Sequence, residues 1–416
     1  MGRLTFVKIA VASLVLATAT VRAETPTYLY GTSSKTGSMA SVATTTPTTS
    51  APRAAYVVAA ETNTSGALEV VAWQDTTISL VNIGSANVAN GLAIQSVAAS
   101  GLDANRVVTA DVDSTGALSI DTWVIGGAAG VVQQNGYSTG PGVADTIVDA
   151  DVSITTVSST LVVTAFNDSS GNVVIQAWTI SSGGLPTPLS DVGHNGPATQ
   201  VAIATINSGQ VITAAGTGNN SLKITVWTVD SSGVQYQNGI TENASVSPFS
   251  DRVAIGAGSQ LVFEEVNGFP SLVNVGSAFV PMINAAGNVE VWYLNISASG
   301  NITVLSKPQT TKEDFLQVAA CMLRTDVPIT AFGDVSSYVH VGWYGDGTDD
   351  VYEAIKGHLN GITSIGAAAA GSDYKVYLPV FNAYFVTGVL TYTDETATNG
   401  DLQIRVWSYP VSDLDL

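Results

Sequence analysis

Three short stretches of the sequence place an aromatic residue beside charged ones: "SPFSDRV" at 247–253, "KEDFLQV" at 312–318 and "SDYKV" at 372–376. Aromatic faces next to charged hydrogen-bonding groups are what a concave site uses to hold a polar ligand. The predicted ligand-binding residues are Phe249, Asp251, Arg252, Lys312, Glu313, Asp314, Phe315, Asp373, Tyr374 and Lys375. The alternative is that the aromatic residues fill gaps between packed elements and the charges lie on a solvated rim.

A run of carboxylates in "GDGTDDVYE" at 345–353 suits Ca²⁺, which takes hard oxygen ligands. The predicted metal ligands are Asp346, Asp349, Asp350 and Glu353, and Ca²⁺ is the one cofactor that the sequence suggests. Further acidic residues fall near predicted hairpin turns, namely Glu61, Asp111, Asp113, Asp168, Asp334, Asp394 and Glu395. They form either a ligand face or ordinary solvated turns, because turns also favour Asp, Asn, Ser and Gly.

Residues for catalysis are few. The three histidines are His194, His340 and His358, and His194 lies in a Gly-rich stretch that reads as a loop between repeats. The chain contains no G-x-S-x-G elbow, no H-E-x-x-H and no spaced Cys/His set. We therefore predict no catalytic residue. A pair of carboxylates drawn from distant repeats, as in glycoside hydrolysis, stays open as an alternative.

The elements that position these residues are repeats, each marked by one tryptophan. The tryptophans are Trp73, Trp123, Trp178, Trp227, Trp292, Trp343 and Trp407. Five stretches of 17 residues, among them "VVTADVDSTGALSIDTW" at 107–123, align without a gap and end at a tryptophan. Apolar and polar residues alternate before the tryptophans, and Gly or Asn stands seven residues ahead of five of them, at Gly66, Gly116, Gly171, Asn220 and Gly400. This pattern predicts a β-hairpin with a tight turn.

A further strand on each side of the hairpin gives four antiparallel strands per repeat, which is the blade of a β-propeller. The predicted fold is all-β, a seven-bladed propeller with blades at 39–84, 92–138, 148–190, 198–241, 250–307, 315–359 and 373–411. The last blade runs out of chain, so the segment 27–34 is predicted to supply its fourth strand and close the ring. Residues 24–416 then form a single domain.

The first four repeats are regular and the last three are not. The fifth gains residues 260–275, and the seventh has a longer hairpin at 385–407. Shared packing needs keep repeats alike, so departures indicate a further demand on those repeats. We therefore expect ligand binding near blades five to seven, on the face where hairpin turns and crossovers between blades meet. We call this the top face.

The repeats resemble those of β-propeller families over nearly all of the chain. They differ from WD40 repeats, because Trp73 is followed by Gln74, and the kelch double glycine is not in register. In plan they are similar to secreted propeller lectins, whose Trp-bearing blades bind sugars. The resemblance implies a lectin-like architecture, and it transfers no binding residue by motif.

Residues 1–23 read as a secretory signal peptide, with basic residues, a short apolar run and a small residue at Ala23. Export to the extracellular space or the periplasm is expected, with no membrane-spanning segment. The rest of the chain has 11 basic and 33 acidic residues, which argues against nucleic acid as a partner. Cys321 is the single cysteine, so no intrachain disulfide can form.

The sequence thus favours a secreted binding module that recognises glycans or extracellular proteins. The alternatives are a propeller enzyme that degrades polysaccharide, by lyase or hydrolase chemistry, and a structural component of a surface or matrix. The oligomeric state does not follow from the sequence.

Overall fold

The computed structural model describes residues 27–35, 42–45, 56–63, 65–75, 79–88, 92–127, 130–140, 142–144, 152–217, 221–243, 253–266, 269–307, 315–324, 327–334, 339–344, 350–355, 362–369, 374–378, 381–396 and 399–411. Every regular element in these ranges is a β-strand, and none is a helix. The predicted all-β class is confirmed.

The described strands form separate antiparallel sheets, six with four strands and one with five, which we number in chain order. The chain begins with β1 (Thr27–Lys35). Sheets one and two are β2 (Val42–Thr45), β3 (Tyr56–Thr62), β4 (Leu68–Asp75) and β5 (Leu80–Val88), then β6 (Ile94–Gly101), β7 (Arg106–Asp113), β8 (Leu118–Ile125) and β9 (Val131–Ser138). Sheets three and four are β10 (Val152–Ser158), β11 (Leu161–Asn167), β12 (Asn172–Ile180) and β13 (Pro186–Pro197), then β14 (Gln200–Asn207), β15 (Gln210–Thr217), β16 (Ser221–Val229) and β17 (Val234–Asn243).

The remaining strands build three further sheets. Sheets five and six are β18 (Gly256–Val266), β19 (Phe269–Ile283), β20 (Val289–Ile296) and β21 (Ile302–Ser306), then β22 (Phe315–Arg324), β23 (Val327–Asp334), β24 (Val339–Tyr344) and β25 (Asp350–Ile355). Sheet seven contains β26 (Ile362–Ala369), β27 (Tyr374–Leu378), β28 (Phe381–Thr396) and β29 (Asn399–Val411), with β1 paired antiparallel to β29. The chain's first described strand is therefore hydrogen-bonded to its last.

The tryptophan repeat is the middle hairpin of each regular sheet. In sheets one to four the residue opposite the tryptophan is always the first of the 17-residue stretch, as in Val107↔Trp123 and Val162↔Trp178. The glycine seven residues before the tryptophan adopts a positive φ at Gly66, Gly116 and Gly171, between 76° and 79°. Only glycine takes this conformation at little cost, which is why the turn repeats it.

The tryptophans hold neighbouring sheets together. Trp123, Trp178, Trp227 and Trp292 are at most 2% exposed, and each packs with apolar residues of the preceding sheet. In sheets two to four the indole nitrogen also donates a hydrogen bond of 2.9 Å to a threonine hydroxyl in the adjacent strand, at Thr109, Thr164 and Thr213. A single hairpin could not bury these faces, so the sheets stabilise one another by stacking.

The first strands of the sheets lie side by side in chain order. β2 lies beside β6, then come β10, β14, β18, β22 and β26 in sequence, and β26 also lies beside β2. Hydroxyl pairs join some of these strands, at 2.8 Å between Ser100 and Thr156 and at 2.8 Å between Thr155 and Thr205. The first strands thus form the innermost layer that links the sheets.

The irregular sheets depart from the sequence prediction in three ways. The extra residues of sheet five extend the hairpin between its first and second strands, from Gly256↔Phe279 to Val266↔Phe269. They therefore lie at the opposite end of β18 from the crossover that precedes it, and not on the top face. In sheet six the residue opposite Trp343 is Ile329, two residues later than the alignment predicts.

The third departure concerns sheet seven. Its first strand is β26 (Ile362–Ala369), whereas the sequence placed the start of the last blade at residue 373. β27 follows as an additional strand that pairs with the first residues of β28. The predicted long hairpin is present, and its strands pair as far as Thr396↔Asn399.

Candidate functional site

Most of the predicted ligand-binding residues lie outside the described residues. These are Phe249, Asp251, Arg252, Lys312, Glu313, Asp314 and Asp373. Phe315 is the first residue of β22 and pairs with Asp334 at the end of β23. That position is at the end of the sheet where the middle hairpin turns, which is the end that we call the top face.

Tyr374 and Lys375 lie elsewhere than predicted. Both belong to β27, opposite Phe385 and Tyr384 of β28. The first strand of this sheet, β26, pairs with β28 from Gly388 to Asp394, nearer the hairpin turn at the top face. The prediction that Tyr374 immediately precedes a first strand, as Phe315 begins one, is therefore wrong. The two aromatic residues are not at equivalent positions, because the additional strand displaces Tyr374 towards the other end of the sheet.

The predicted metal ligands are only partly described. Asp346 and Asp349 lie outside the described residues, while Asp350 and Glu353 lie in β25, opposite Tyr344 and Val341. Positions three apart in a strand belong to opposite faces of a sheet, so β25 does not bring 350 and 353 to one face. Among the described side chains, no group of three or more His, Cys, Asp and Glu is arranged to hold a metal ion.

Two of the acidic residues near turns serve the turns themselves. The Oδ1 atom of Asp168 accepts hydrogen bonds from the amides of Ser170 and Asn172, at 2.8 and 2.9 Å. Burial alone raises the pKa of Asp168, but these amide hydrogen bonds outweigh it and hold the pKa below its ordinary value. Asp113 accepts equivalent bonds from Thr115 and Ala117. Of the two interpretations of these acids, turn chemistry is the one observed.

Glu61 and Asp111 contradict both interpretations. They lie within β3 and β7, and both are fully buried, with 0% exposure. They are neither solvated turn residues nor part of an exposed ligand face. His194 is likewise not in a crossover loop, because it lies in β13 opposite Val174, with its side chain exposed.

Asp111 shares its interface with a second buried carboxylate, Asp121. Asp111 pairs with Ser119, and Asp121 is 4% exposed and pairs with Thr109, so both acids lie on the face of sheet two that packs against sheet one. Neither oxygen of Asp111 has a hydrogen-bond partner among the described residues, and Asp121 uses only Oδ1, which accepts from Gln133 at 2.8 Å. Two carboxylates are therefore close together in an apolar interface with few donors.

The environment disfavours charge on both acids. Burial, followed by the charges of Asp121 and Asp113, holds the pKa of Asp111 well above its ordinary value. Burial raises the pKa of Asp121 to about 6, although the hydrogen bond from Gln133 lowers it. Two ion pairs of the described residues, Arg106 with Asp103 and Lys307 with Glu242, involve neither acid.

Aromatic side chains reach the surface beside the buried tryptophans. Tyr236 of β17 is 63% exposed, and its ring meets that of Trp227 edge-on, with centroids 5.9 Å apart. Tyr137 of β9 is 38% exposed and tilts against Trp178 of the next sheet, at 5.6 Å. Between sheets four and five, the Nζ atom of Lys307 lies 3.6 Å from the ring centre of Trp292.

The sequence analysis singled out none of these surface residues. Tyr137 and Tyr236 lie in outer strands, which follow the tryptophans, whereas the predicted ligand-binding residues near sheets five and six lie just before the first strands or at their start. The available signal was a tyrosine within 15 residues after a repeat tryptophan, as Tyr137 follows Trp123 and Tyr236 follows Trp227. Lys307 and Glu242 come from different repeats, so no local pattern could pair them.

Comparison with solved structures places the fold among known proteins. The BP39L lectin from Burkholderia pseudomallei matches with a TM-score of 0.58 and 14% identity, over 90% of this chain and 99% of the lectin. The fucose-specific lectin from Aleuria aurantia matches with a TM-score of 0.46 and 12% identity, over 77% and 96% of the two chains. Sqt1 from Saccharomyces cerevisiae matches with a TM-score of 0.48 and 12% identity, over 92% and 99%.

Only the first of these three likenesses is strong enough to bear on the fold. It shows that this chain has the β-propeller-like architecture of a lectin, with four-stranded antiparallel sheets. No family model and no curated protein sequence matches the chain. Within the described ranges there is no helix with the length and apolar character needed to cross a bilayer.

Proposed function

We propose that this protein is a secreted glycan-binding protein built on a closed, seven-bladed β-propeller. The neighbour relations of the first strands support the ring, because β26 lies beside both β22 and β2. The pairing of β1 with β29 supports closure by the N-terminal strand, because it covers the free edge of β29. Secretion rests on the predicted signal peptide.

The observation that carries glycan binding is the exposed tyrosine of β17. Its ring is held by Trp227 and leaves most of its surface to solvent. The residues next to it in β17 are neutral: Gln235 is exposed, and the side-chain amide of Asn238 donates to Asn301 at 2.7 Å. A rigid aromatic face with neutral hydrogen-bonding groups beside it suits a sugar ring, which has apolar C–H faces and hydroxyl edges.

The surface composition fits the same ligand class. Charged residues make up only 11% of the chain, so Ser, Thr, Asn and Gln supply most of its surface polarity. Such a surface can bond hydroxyl groups without displacing tightly held counterions. Extracellular protein ligands remain part of the proposal, because aromatic residues also anchor protein interfaces.

A top-face site near sheets five to seven is the finer part of the proposal. It now rests on Phe315, at the start of β22, together with the predicted charged residues that precede it. Tyr374 contributes less to this site than the sequence suggested, because β27 pairs with the other end of β28.

The test is a glycan array probed with purified residues 24–416, in Ca²⁺ and then in EDTA. Tyr236→Ala and Phe315→Ala are compared with Leu305→Ala, which removes an apolar side chain of similar exposure, 64%, from the next sheet. We expect selective binding that one of the aromatic variants abolishes and that Leu305→Ala leaves intact.

The outcomes separate the alternatives. Loss in Tyr236→Ala places the ligand on the outer strands, and loss in Phe315→Ala places it on the top face. Equal loss in all three variants would indicate general unfolding. A blank array, followed by release of reducing or unsaturated sugars from polysaccharide, would replace the proposal with the enzyme alternative.

A further inference from the structure

The interface between sheets one and two carries buried oxygen atoms that no described residue satisfies. Both carboxylate oxygens of Asp111 and the Oδ2 atom of Asp121 lack a hydrogen-bond partner in the described structure. On the facing sheet, the hydroxyl of Thr62 is 3% exposed and likewise has no partner among the described residues. Thr62 shares the strand face of Val58 and Ala60, which pack against sheet two.

These groups are all oxygen ligands of the kind that hard cations prefer. Asp111 and Asp121 bring negative charge into an apolar interface, and a buried carboxylate needs either hydrogen bonds or a neutralising partner. The Thr62 hydroxyl lies on the strand face that packs against sheet two and adds a buried, unpartnered oxygen to this interface. A cation between Asp111 and Asp121 would satisfy their three unpartnered carboxylate oxygens.

We propose that sheets one and two hold a divalent cation of the Ca²⁺ class between them, on Asp111, Asp121 and Thr62. Ca²⁺ accepts irregular sets of carboxylate, hydroxyl and water oxygens, whereas Mg²⁺ demands near-octahedral geometry. The ion would neutralise the two acids and fasten sheet one to sheet two. This site is independent of glycan binding and distinct from the predicted ligands at 346–353.

The two interfaces that follow in the chain, between sheets two and three and between sheets three and four, lack this chemistry. At the positions of Asp111 and Asp121, sheet three has Phe166 and Gln176, and the amide of Gln176 donates to the carbonyl of Leu189 at 2.7 Å. Sheet four has an alanine and Thr225, whose hydroxyl donates to Asn195 at 3.3 Å. Among these three equivalent interfaces, the unsatisfied carboxylate pair thus belongs to the interface between sheets one and two.

The geometry also gives the site a spectroscopic reporter. The indole of Trp123 donates to Thr109, and Thr109 pairs with Asp121. Tb³⁺ replaces Ca²⁺ at oxygen sites and emits when a nearby tryptophan is excited. The full chain, 24–416, is treated with EDTA, dialysed at pH 7.5 and titrated with Tb³⁺, and Ca²⁺ is then used to displace it. Thermal unfolding is recorded with Ca²⁺ and with EDTA.

Three variants locate the ion. Asp111→Asn and Asp121→Asn each remove a charge and keep the side-chain volume, so both should fold in EDTA. We expect each to weaken Ca²⁺ binding by about tenfold or more, because affinity follows the number of ligand charges. Asp349→Asn, in the loop predicted from the sequence, should leave this binding event unchanged.

The proposal predicts saturable Tb³⁺ emission, its displacement by Ca²⁺ and a higher unfolding temperature in Ca²⁺, all lost in Asp111→Asn. Absence of any Ca²⁺ effect on binding and stability would overturn it and leave the pair as a proton-sharing acid. Binding that Asp349→Asn abolishes and Asp111→Asn retains would also overturn it, by moving the ion to the loop.

Discussion

The interface between sheets one and two and the interface between sheets two and three share one backbone plan and differ in chemistry. Asp111 and Phe166 occupy the same place in their strands, four residues after the valine opposite the tryptophan. Phe166 packs with Val112 and Ala110 of the preceding sheet, whereas Asp111 meets a second carboxylate. The scaffold therefore does not dictate which side chains stand between two sheets.

The difference shows which positions of the repeat are constant and which vary. The tryptophan and the threonine that bonds its indole are kept in sheets two, three and four, where the bond joins two strands of one sheet and the buried ring packs against the preceding sheet. The positions between them and the turn are free to vary, provided that each buried polar group finds a partner. Sheet two departs from this condition, which makes its interface the place to look for a bound group.

Placing a carboxylate in the apolar interface between sheets two and three should give the largest loss of stability. Phe166→Asp removes a buried aromatic ring and leaves an uncompensated carboxylate between sheets two and three. We expect it to lower the free energy of unfolding by at least about 4 kcal/mol at pH 7.5. Urea denaturation followed by tryptophan fluorescence measures the loss.

Phe166→Asn is the matched variant, since it creates a cavity of the same size without the charge. The Asp variant should be the less stable of the two at pH 7.5, and the gap should narrow at pH 4, where the carboxyl is protonated. Equal stability at both values of pH would mean that this interface accepts a charge as readily as the interface of sheet two.

Gly136 of β9, which pairs with Asp121, allows a second comparison between the sheets. A Cβ atom on Gly136 would lie 2.0 Å from the Oδ1 atom of Asp121. Gly136→Ala should therefore displace that carboxylate and its bond to Gln133, and cost about 1–3 kcal/mol. Gly239 occupies the same place in sheet four, where the nearest atom to a Cβ would be 3.1 Å away.

Gly239→Ala is thus the control and should cost less than Gly136→Ala. In an Asp121→Ala background the Gly136→Ala substitution should become nearly neutral, because the atom that it meets is gone. Thermal unfolding of the four variants measures this coupling. If Gly136→Ala lowers stability as much in the Asp121→Ala background as in the unmodified protein, the strain lies in the backbone of β9 and not at the Asp121 side chain.

Much of the fold was predictable because each repeat specifies its hairpin through residues that are close together in the sequence. Alternating apolar and polar residues, a turn glycine and a terminal tryptophan specify a hairpin. The seven repeats that the tryptophans mark specify the sheets. The last three sheets were harder, because insertions shift pairing by amounts that no spacing reveals. An extra strand such as β27 moves Tyr374 from the start of a sheet to its far end.

The buried acids were not predictable for a different reason. Asp113 and Asp111 are two residues apart and read alike in the sequence. Asp113 reaches the turn amides, while Asp111 is one step deeper in the strand and faces sheet one. Both acids are buried, so only the register separates the one whose oxygen accepts turn amides from the one whose oxygens have no partner among the described residues.

A smaller loss of stability tests the indole–threonine hydrogen bond that sheets two, three and four share. Thr213→Val removes the hydroxyl that accepts the Trp227 indole bond and keeps the side-chain volume. It should cost about 1–3 kcal/mol, because the buried N–H then has no partner. Thr228→Val, in the same sheet but partly exposed, should be nearly neutral. Equal urea midpoints for the two variants would show that packing alone holds the tryptophan.

The smallest effect concerns the hairpin turns, whose side-chain hydrogen bonds are alike in sheets one, two, three and five. Asp168→Ala should cost about 1 kcal/mol, because two turn amides lose their acceptor. Asp168→Asn should cost less than half of this, since Asn63 and Asn284 accept the same bonds in sheets one and five.

The two residues should differ in acid. The pKa of Asp168 is lowered in the folded protein, so its stabilising effect is present above the ordinary pKa of 3.8 and is lost as the pH falls below it. The Asn variant has no carboxyl to protonate and should lack this contribution. Urea midpoints at pH 7 and pH 3 compare them. If Asn destabilises as much as Ala at pH 7, the charge of Asp168 matters more than its hydrogen bonds, and the turns of sheets one and three are not chemically equivalent.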